Sequence, residues 1–490
     1  MSTEPSSFVF SSAVEVARAI QRGDVSSLEL TKQILERIEK YNPSLNAVIT
    51  LIGDDALNRA RAADEALTKG ESWGPLHGVP CSIKDTLEIA NVLTTAGTTE
   101  LATHIPRRDA EAVKRIREAG SVIIGHTNTP SMADDWQSYN EIFGTTNNPW
   151  NHKLTPGGST GGGAAALAAG LSYLSIGSDI GGSIRIPAHF CGVYGHKPSL
   201  NVVPMHGHIP PPPGILAPPP DLAVVGPLAR SADDLILALE IIGGPSPNDT
   251  LAYKWTLPPA RGIRLADYSI GYIIDDPLCP VTSDVKEVLS QAVEALRKAG
   301  LVLEEGWPPG VNPSNQYDTY LFLLYSTFAY QLQDEKIVEF HQLAANQDEF
   351  YNSRLAQAWI APHKHFQSAS LARIAAREIW QDYFRTHDAF LLPTAFIPAF
   401  PHDHSQPFIH RILNTPEGPR QYSDLLFWIS FATLTGLPAT TAPIGLTKDG
   451  LPVGVQIIGP YLEDATPIDI AGKLADIIGG FQPPEGYESQ

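Results

Sequence analysis

Thr155-Pro156-Gly157-Gly158-Ser159-Thr160-Gly161-Gly162-Gly163 and, after it, Gly177-Ser178-Asp179-Ile180-Gly181-Gly182-Ser183-Ile184-Arg185-Ile186-Pro187 are the runs on which the fold turns. Each sets a serine among glycines, with Ser183 lying 24 residues after Ser159. Glycine tolerates positive φ and close backbone approach, so such runs suit tight turns that cradle a reacting group. The first contains Gly157-Gly158-Ser159-Thr160-Gly161, a G-x-S-x-G match. A nucleophile elbow of that pattern needs a strand leading into the turn. The residues from Asn148 to Pro156 read instead as loop, which disfavours the elbow. A phosphate loop is disfavoured too, because no Lys-Ser/Thr pair follows the glycines.

Outward from these runs the texture is that of β/α units. Short apolar stretches at 79–83 and 121–125 read as strands and 109–119 as a helix. Lys84 falls at the end of the first strand. The apolar stretch 161–177, rich in Ala, Gly and Leu, is too short to span a membrane and reads as a buried helix. Nine prolines between Asn201 and Pro227 exclude a central strand or helix there. That segment is either a connector or one wall of a substrate mouth. Before residue 70, Ser12 with Glu15 and Ser26 with Glu29 fit capping boxes of two helices, the second of which has Pro43 just beyond it. Further on, 268–274 reads as a strand, 283–298 as a helix stopped by Gly300, 315–390 as aromatic-rich helices, 389–392 as a strand, 423–433 as a helix and 453–458 as a strand.

With 490 residues, 43% of them hydrophobic and 18% charged, the chain can bury a large core. The net charge of −19 argues against binding nucleic acid or an anionic membrane, which needs clustered Lys and Arg. Three cysteines without CxxC spacing make neither a disulfide framework nor a zinc site. His402-Asp403-His404 and the pair His363/His365 lack a third ligand and read as surface histidines. No basic stretch followed by an apolar run stands near Met1, so the expected location is cytoplasmic.

The two serine runs, with Gly74-Pro75-Leu76-His77-Gly78-Val79-Pro80, Ser82-Ile83-Lys84-Asp85 and Thr127-Asn128-Thr129-Pro130, strongly resemble the amidase signature family. Gly436-Leu437-Pro438 and Gly450-Leu451-Pro452-Val453-Gly454-Val455-Gln456 resemble its C-terminal elements. The likeness is dense from 74 to 199 and thin from about 245 to 420. It implies an α/β fold with a mixed central β-sheet sandwiched by α-helices, as one domain over 1–490 with a helical insertion at about 315–390 near the substrate mouth. It also implies hydrolysis of amide C–N bonds by a Ser–cis-Ser–Lys triad. Ser183 matches the nucleophile, Ser159 the bridging serine on a cis Gly158–Ser159 peptide, and Lys84 the base. Thr160 departs from the second serine that the family often has there.

A serine needs a base to take its proton. Lysine serves only when neutral, which asks for a pKa about three units below 10.4, or roughly 4 kcal/mol. Burial supplies this by disfavouring the ammonium. The backbone amides of Ile180, Gly181, Gly182 and Ser183 are the candidate oxyanion donors, and Asp179 and Arg185 read as a charge pair holding that loop. No metal or organic cofactor is required. Met132 and Trp136 are candidate substrate-lining residues. Further aromatics, Tyr139, Tyr317, Tyr320, Phe322, Tyr325, Phe328, Phe427 and Trp428, divide between core and an apolar pocket. The expected partner is a small-molecule amide, neutral and aryl or alkyl, with carbamates and esters as secondary substrates and a homodimer as the candidate assembly. Two alternatives stand beside this: a glutamine-hydrolysing subunit of a tRNA-dependent amidotransferase, and a binding module with a degenerate site.

Overall fold

In the computed structural model, which describes residues 8–214, 220–346 and 350–488, the short apolar runs pair into one mixed 11-stranded sheet. In chain order its strands are β1 (Val48–Leu51), β2 (Pro80–Lys84), β3 (Val122–Thr127), β4 (Leu174–Asp179), β5 (Tyr194–Lys197), β6 (Val224–Ala229), β7 (Ile270–Tyr272), β8 (Leu303–Glu305), β9 (Ala389–Pro393), β10 (Ala439–Leu446) and β11 (Pro452–Ile458). Across the sheet they lie in the order β1-β3-β2-β4-β6-β5-β10-β11-β9-β7-β8. β2 runs parallel to both β3 and β4, whereas β6 is antiparallel to β4 and β5. Helices flank the sheet, so β2, β3 and β4 are buried along their whole length. Burial on both faces is why these strands read as unbroken apolar runs.

Local signals set many of the bounds. Ser12 and Ser26 each accept from the backbone amide three residues on, and Glu15 and Glu29 reach back to complete both capping boxes. The helix Ser27–Leu45 runs on through Pro43, which sits in its last turn. Helix Ser283–Lys298 and strands β9 and β11 fall where periodicity and apolar runs place them.

Two stretches differ from their sequence reading. The 161–177 stretch is not one helix: the helix Gly161–Ala168 stops, Gly170 turns at φ +68, and β4 begins at Leu174. An all-Ala/Gly/Leu run has no polar face to report its period, so the break is invisible until Gly170 is seen in its left-handed turn. Pro227 lies within β6, a central strand. It is tolerated because the ladder to β5 ends at Gly195–Leu228, one residue short of the proline with its missing N–H. Pro218 and Pro219 lie outside the described residues.

The two halves of the sheet are tied by one buried ion pair. Asp179 ends β4, and Arg185 opens the helix Arg185–Cys191; both side chains are 0% exposed. Arg185 Nε and Nη2 donate to the two Asp179 oxygens at 3.0 and 2.8 Å. Its remaining donors reach the C-terminal half: Ile429 O at 2.8 Å, Thr433 Oγ1 at 2.7 Å and Gln456 Oε1 on β11 at 2.5 Å. Removing one partner of such a pair typically costs about 3–5 kcal/mol, because the other charge stays buried. Arg185→Ala should therefore lower Tm by several degrees, and Arg185→Lys, which keeps the charge and loses the fork, should fall between. An Arg185→Ala protein melting with wild type would refute the tether.

Candidate active site

Parallel pairing of β2 with β4, in the register Ile83↔Ile176, brings the C-terminal ends of both strands to the same edge. Lys84, the last residue of β2, thereby lies beside Ser178. Its Nζ is 2.6 Å from Ser159 Oγ and donates to Ser178 Oγ at 3.0 Å. Lys84 is wholly buried. Burial pulls its pKa down to about 7, against the Asp179 charge, which acts to raise it.

Ser159 sits one residue before the cap of helix Gly161–Ala168, on a cis Gly158–Ser159 peptide. Close packing accounts for the glycine before it: a Cβ on Gly158 would stand 2.5 Å from Asp135 O and 2.6 Å from Gln137 N. The Thr160 amide donates to Ser183 O at 3.1 Å, tying the two serine-bearing segments together. Ser159 and Ser183 line the same cavity, and no side-chain hydrogen bond joins them among the described residues.

The loop after β4 is shaped by the Asp179 carboxylate. It accepts from the amides of Gly182 and Ile184, both at 3.0 Å, and of Arg185 at 3.3 Å. Burial would raise this carboxyl, but Arg185, the Ile184 amide and the Lys197 charge hold it below its ordinary range. The Gly182 amide is therefore occupied, which corrects the expectation that all four successive amides of 180–183 are free to meet an oxyanion. Those of Ile180, Gly181 and Ser183 make no hydrogen bond among the described residues. Two side chains fix the loop's carbonyls: Trp136 Nε1 donates to Gly181 O at 2.7 Å, and Tyr320 OH donates to Ile180 O at 3.1 Å.

The cavity above this loop has a volume of about 1060 Å³. Met132, Trp136, Tyr325, Phe328, Trp359 and Phe408 line it, and Pro210 and Pro220 stand at its wall. Tyr139 also faces it, whereas Tyr317, Tyr320, Phe427 and Trp428 are buried in the core, and Phe322 packs against it. His404 stacks on Tyr139 with ring centroids 3.8 Å apart, and His402 bonds Asn147. No group of three His, Cys, Asp or Glu placed to hold a metal ion occurs among the described residues. Sequence reading gave no role to Ser178 or to the network in which Asp135 accepts from Arg411 at 2.7 Å and Tyr422 at 2.5 Å, and it placed Tyr320 only among the aromatics shared between core and pocket. Only the position of Ser178 inside the second glycine run hinted at its place beside Lys84.

Known proteins resemble this chain along most of its length. The family model described as Amidase matches residues 29–467. The A subunit of glutamyl-tRNA(Gln) amidotransferase from Carboxydothermus hydrogenoformans is 31% identical over 94% of this chain and 96% of its own, and further bacterial A subunits are 30–31% identical. Indoleacetamide hydrolase of Bradyrhizobium diazoefficiens is 32% identical over 96% of this chain and 86% of its own. A crystal structure described as an amidase superposes with a TM-score of 0.77 at 27% identity, covering 96% of this chain and all of that one. The chain belongs to the amidase signature family of amide C–N hydrolases.

Proposed function

We propose that this protein hydrolyses uncharged aryl or alkyl carboxylic amides through an acyl-enzyme on Ser183, with carbamates and esters as slower or secondary substrates. The observation that carries this reading is a wholly buried Lys84 within 2.6 Å of Ser159, beneath a cavity into which Ser183 opens. With Lys84 neutral, its lone pair takes the Ser159 proton as Ser159 takes that of Ser183. Ser178, accepting an N–H from Lys84, keeps the lone pair turned to Ser159. The Ser183 oxygen attacks the carbonyl, and the free amides of the 180–183 loop meet the oxyanion. On collapse the chain runs backwards: Ser159 hands a proton to the leaving nitrogen and recovers one from Lys84. Water then cleaves the acyl-enzyme by the same relay.

A second reading, a glutamine-hydrolysing subunit of a tRNA-dependent amidotransferase, is favoured by the relatives, most of which are such subunits. Likeness of sequence supports it better than the first. The cavity supports it less: no Lys or Arg lines it among the described residues, and a bound glutamine presents an α-carboxylate to be neutralised.

Under one buffer, kcat/KM for a neutral 4-nitroanilide should exceed that for glutamine; glutamine as the better substrate overturns the first reading in favour of the second. Ser183→Ala should lower turnover by roughly 10⁴-fold or more without loss of fold. Lys84→Ala should spare ester cleavage relative to amide cleavage, since an alkoxide leaves with less proton assistance; equal loss on matched substrates contradicts the relay to the leaving group. Because the reactive form is neutral Lys84, kcat/KM should rise about tenfold per pH unit below about 7 and level off above it. A flat profile between pH 5 and 8 would remove the lysine as base.

A further inference from the structure

The charges around the cavity do not cancel. Asp179 is paired with Arg185, and Asp135 with Arg411. His208 and His404 are kept neutral by burial, which lowers both, the first to about 4. Glu100 and Glu141 lie exposed at the rim. That leaves Asp134, whose carboxylate makes no hydrogen bond or ion pair among the described residues. Its side chain is exposed and opens to the cavity. Enclosure and the neighbouring Asp135 push its carboxyl up to about 6, so it is still largely ionised at neutral pH. It follows Met132 and Ala133, two non-glycine residues with φ of +52 and +61, a backbone form that survives only where the surroundings enforce it.

The two buried aspartates of the lining, Asp135 and Asp179, are paired, whereas Asp134 stands exposed to the cavity without a partner among the described residues. An unpaired carboxylate that faces a ligand space, in a lining that also holds Trp136, Tyr325 and Phe328, makes a receptor for a cation, since ring faces attract positive charge. We propose that Asp134 forms a cation subsite of this cavity, and that the preferred amide substrates carry an ammonium group held by its carboxylate beside the aromatic wall. Asp134 lies two residues before Trp136, which bonds the oxyanion loop, so the subsite and the scissile carbonyl belong to one bound molecule. The inference rests on the amide-hydrolase reading and amends it in one respect: the aryl or alkyl amide stays, and the preferred substrates bear a cation where that reading has them uncharged. It also sets the site against anionic amides, because a carboxylate there meets like charge with no cation to receive it.

The test is a matched series in which one terminal group changes: 5-aminopentanoyl, hexanoyl and adipoyl 4-nitroanilides, which end in ammonium, methyl and carboxylate. A second series places the ammonium on the leaving side, as hexanoyl amides of 1,5-diaminopentane and of hexylamine followed by mass spectrometry. In at least one series the ammonium substrate should exceed its methyl isostere by about tenfold or more in kcat/KM, with the adipoyl compound below both in the first. In Asp134→Asn that ratio should fall to near one, with the loss carried in KM and not kcat, the mark of ground-state binding. Equal rates for ammonium and methyl compounds in both series, or a preference that survives in Asp134→Asn, would overturn the proposal. Calorimetry with pentylammonium and pentanol needs no turnover. Pentylammonium bound by wild type and not by Asp134→Asn, in a protein that cleaves no amide of either series, upholds the subsite and sinks the hydrolase reading. Equal binding by both proteins sinks the subsite.

Discussion

Most of this architecture hangs on the Asp179–Arg185 ion pair. The carboxylate draws in the amides that follow it and so bends the chain from β4 into the 180–183 loop. The guanidinium spends its other donors on the C-terminal half of the sheet and on the helix Leu426–Thr435. Loop shape and the joining of the two halves are therefore one constraint, met by two wholly buried side chains. A buried pair is a weak source of stability compared with apolar packing of the same volume. What it contributes here is geometry, because a hydrophobic replacement has no donors to aim.

The pair also sets the electrical conditions beside it. Asp179 raises the pKa of Lys84, and a carboxylate without its arginine would do so more strongly. Arg185 balances that charge, and burial at the end of β2 then decides the state of the lysine. Lys197, on β5, is likewise buried and pulled down to about 7, with Arg185 adding to the effect of burial. The difference between them is access: Lys84 meets a serine that borders the cavity, whereas Lys197 donates to Pro198 O inside the core.

How much was legible in the sequence depended on whether the deciding contacts were local. Strands such as β2, β3 and β11 announced themselves because burial on both faces leaves unbroken apolar runs. The capping boxes at Ser12 and Ser26 each lie within four residues and needed no tertiary context. The break at Gly170 and the proline in β6 were hidden, since one depends on a turn conformation and the other on where a neighbouring ladder stops. Lys84 and Ser159, 75 residues apart, could be brought together only through resemblance to a family. The occupied Gly182 amide is a contact only three residues long, but it depends on which way the loop turns. The Ser178 contact and the unpaired Asp134 were beyond reach. Each is defined by what other segments do or fail to do for it, and no spacing encodes that.

The strand order bears on how the chain is made. Lys84, Ser159 and Ser183 all lie before residue 200, yet the partners of Arg185, from Ile429 to Gln456, emerge from the ribosome more than two hundred residues later. β10 and β11 must dock beside β5 before Arg185 has its full set of acceptors. Contacts of such long sequence separation form late. A nascent chain would thus carry Lys84, Ser159 and Ser183 for more than two hundred residues of further synthesis before the frame around them could close.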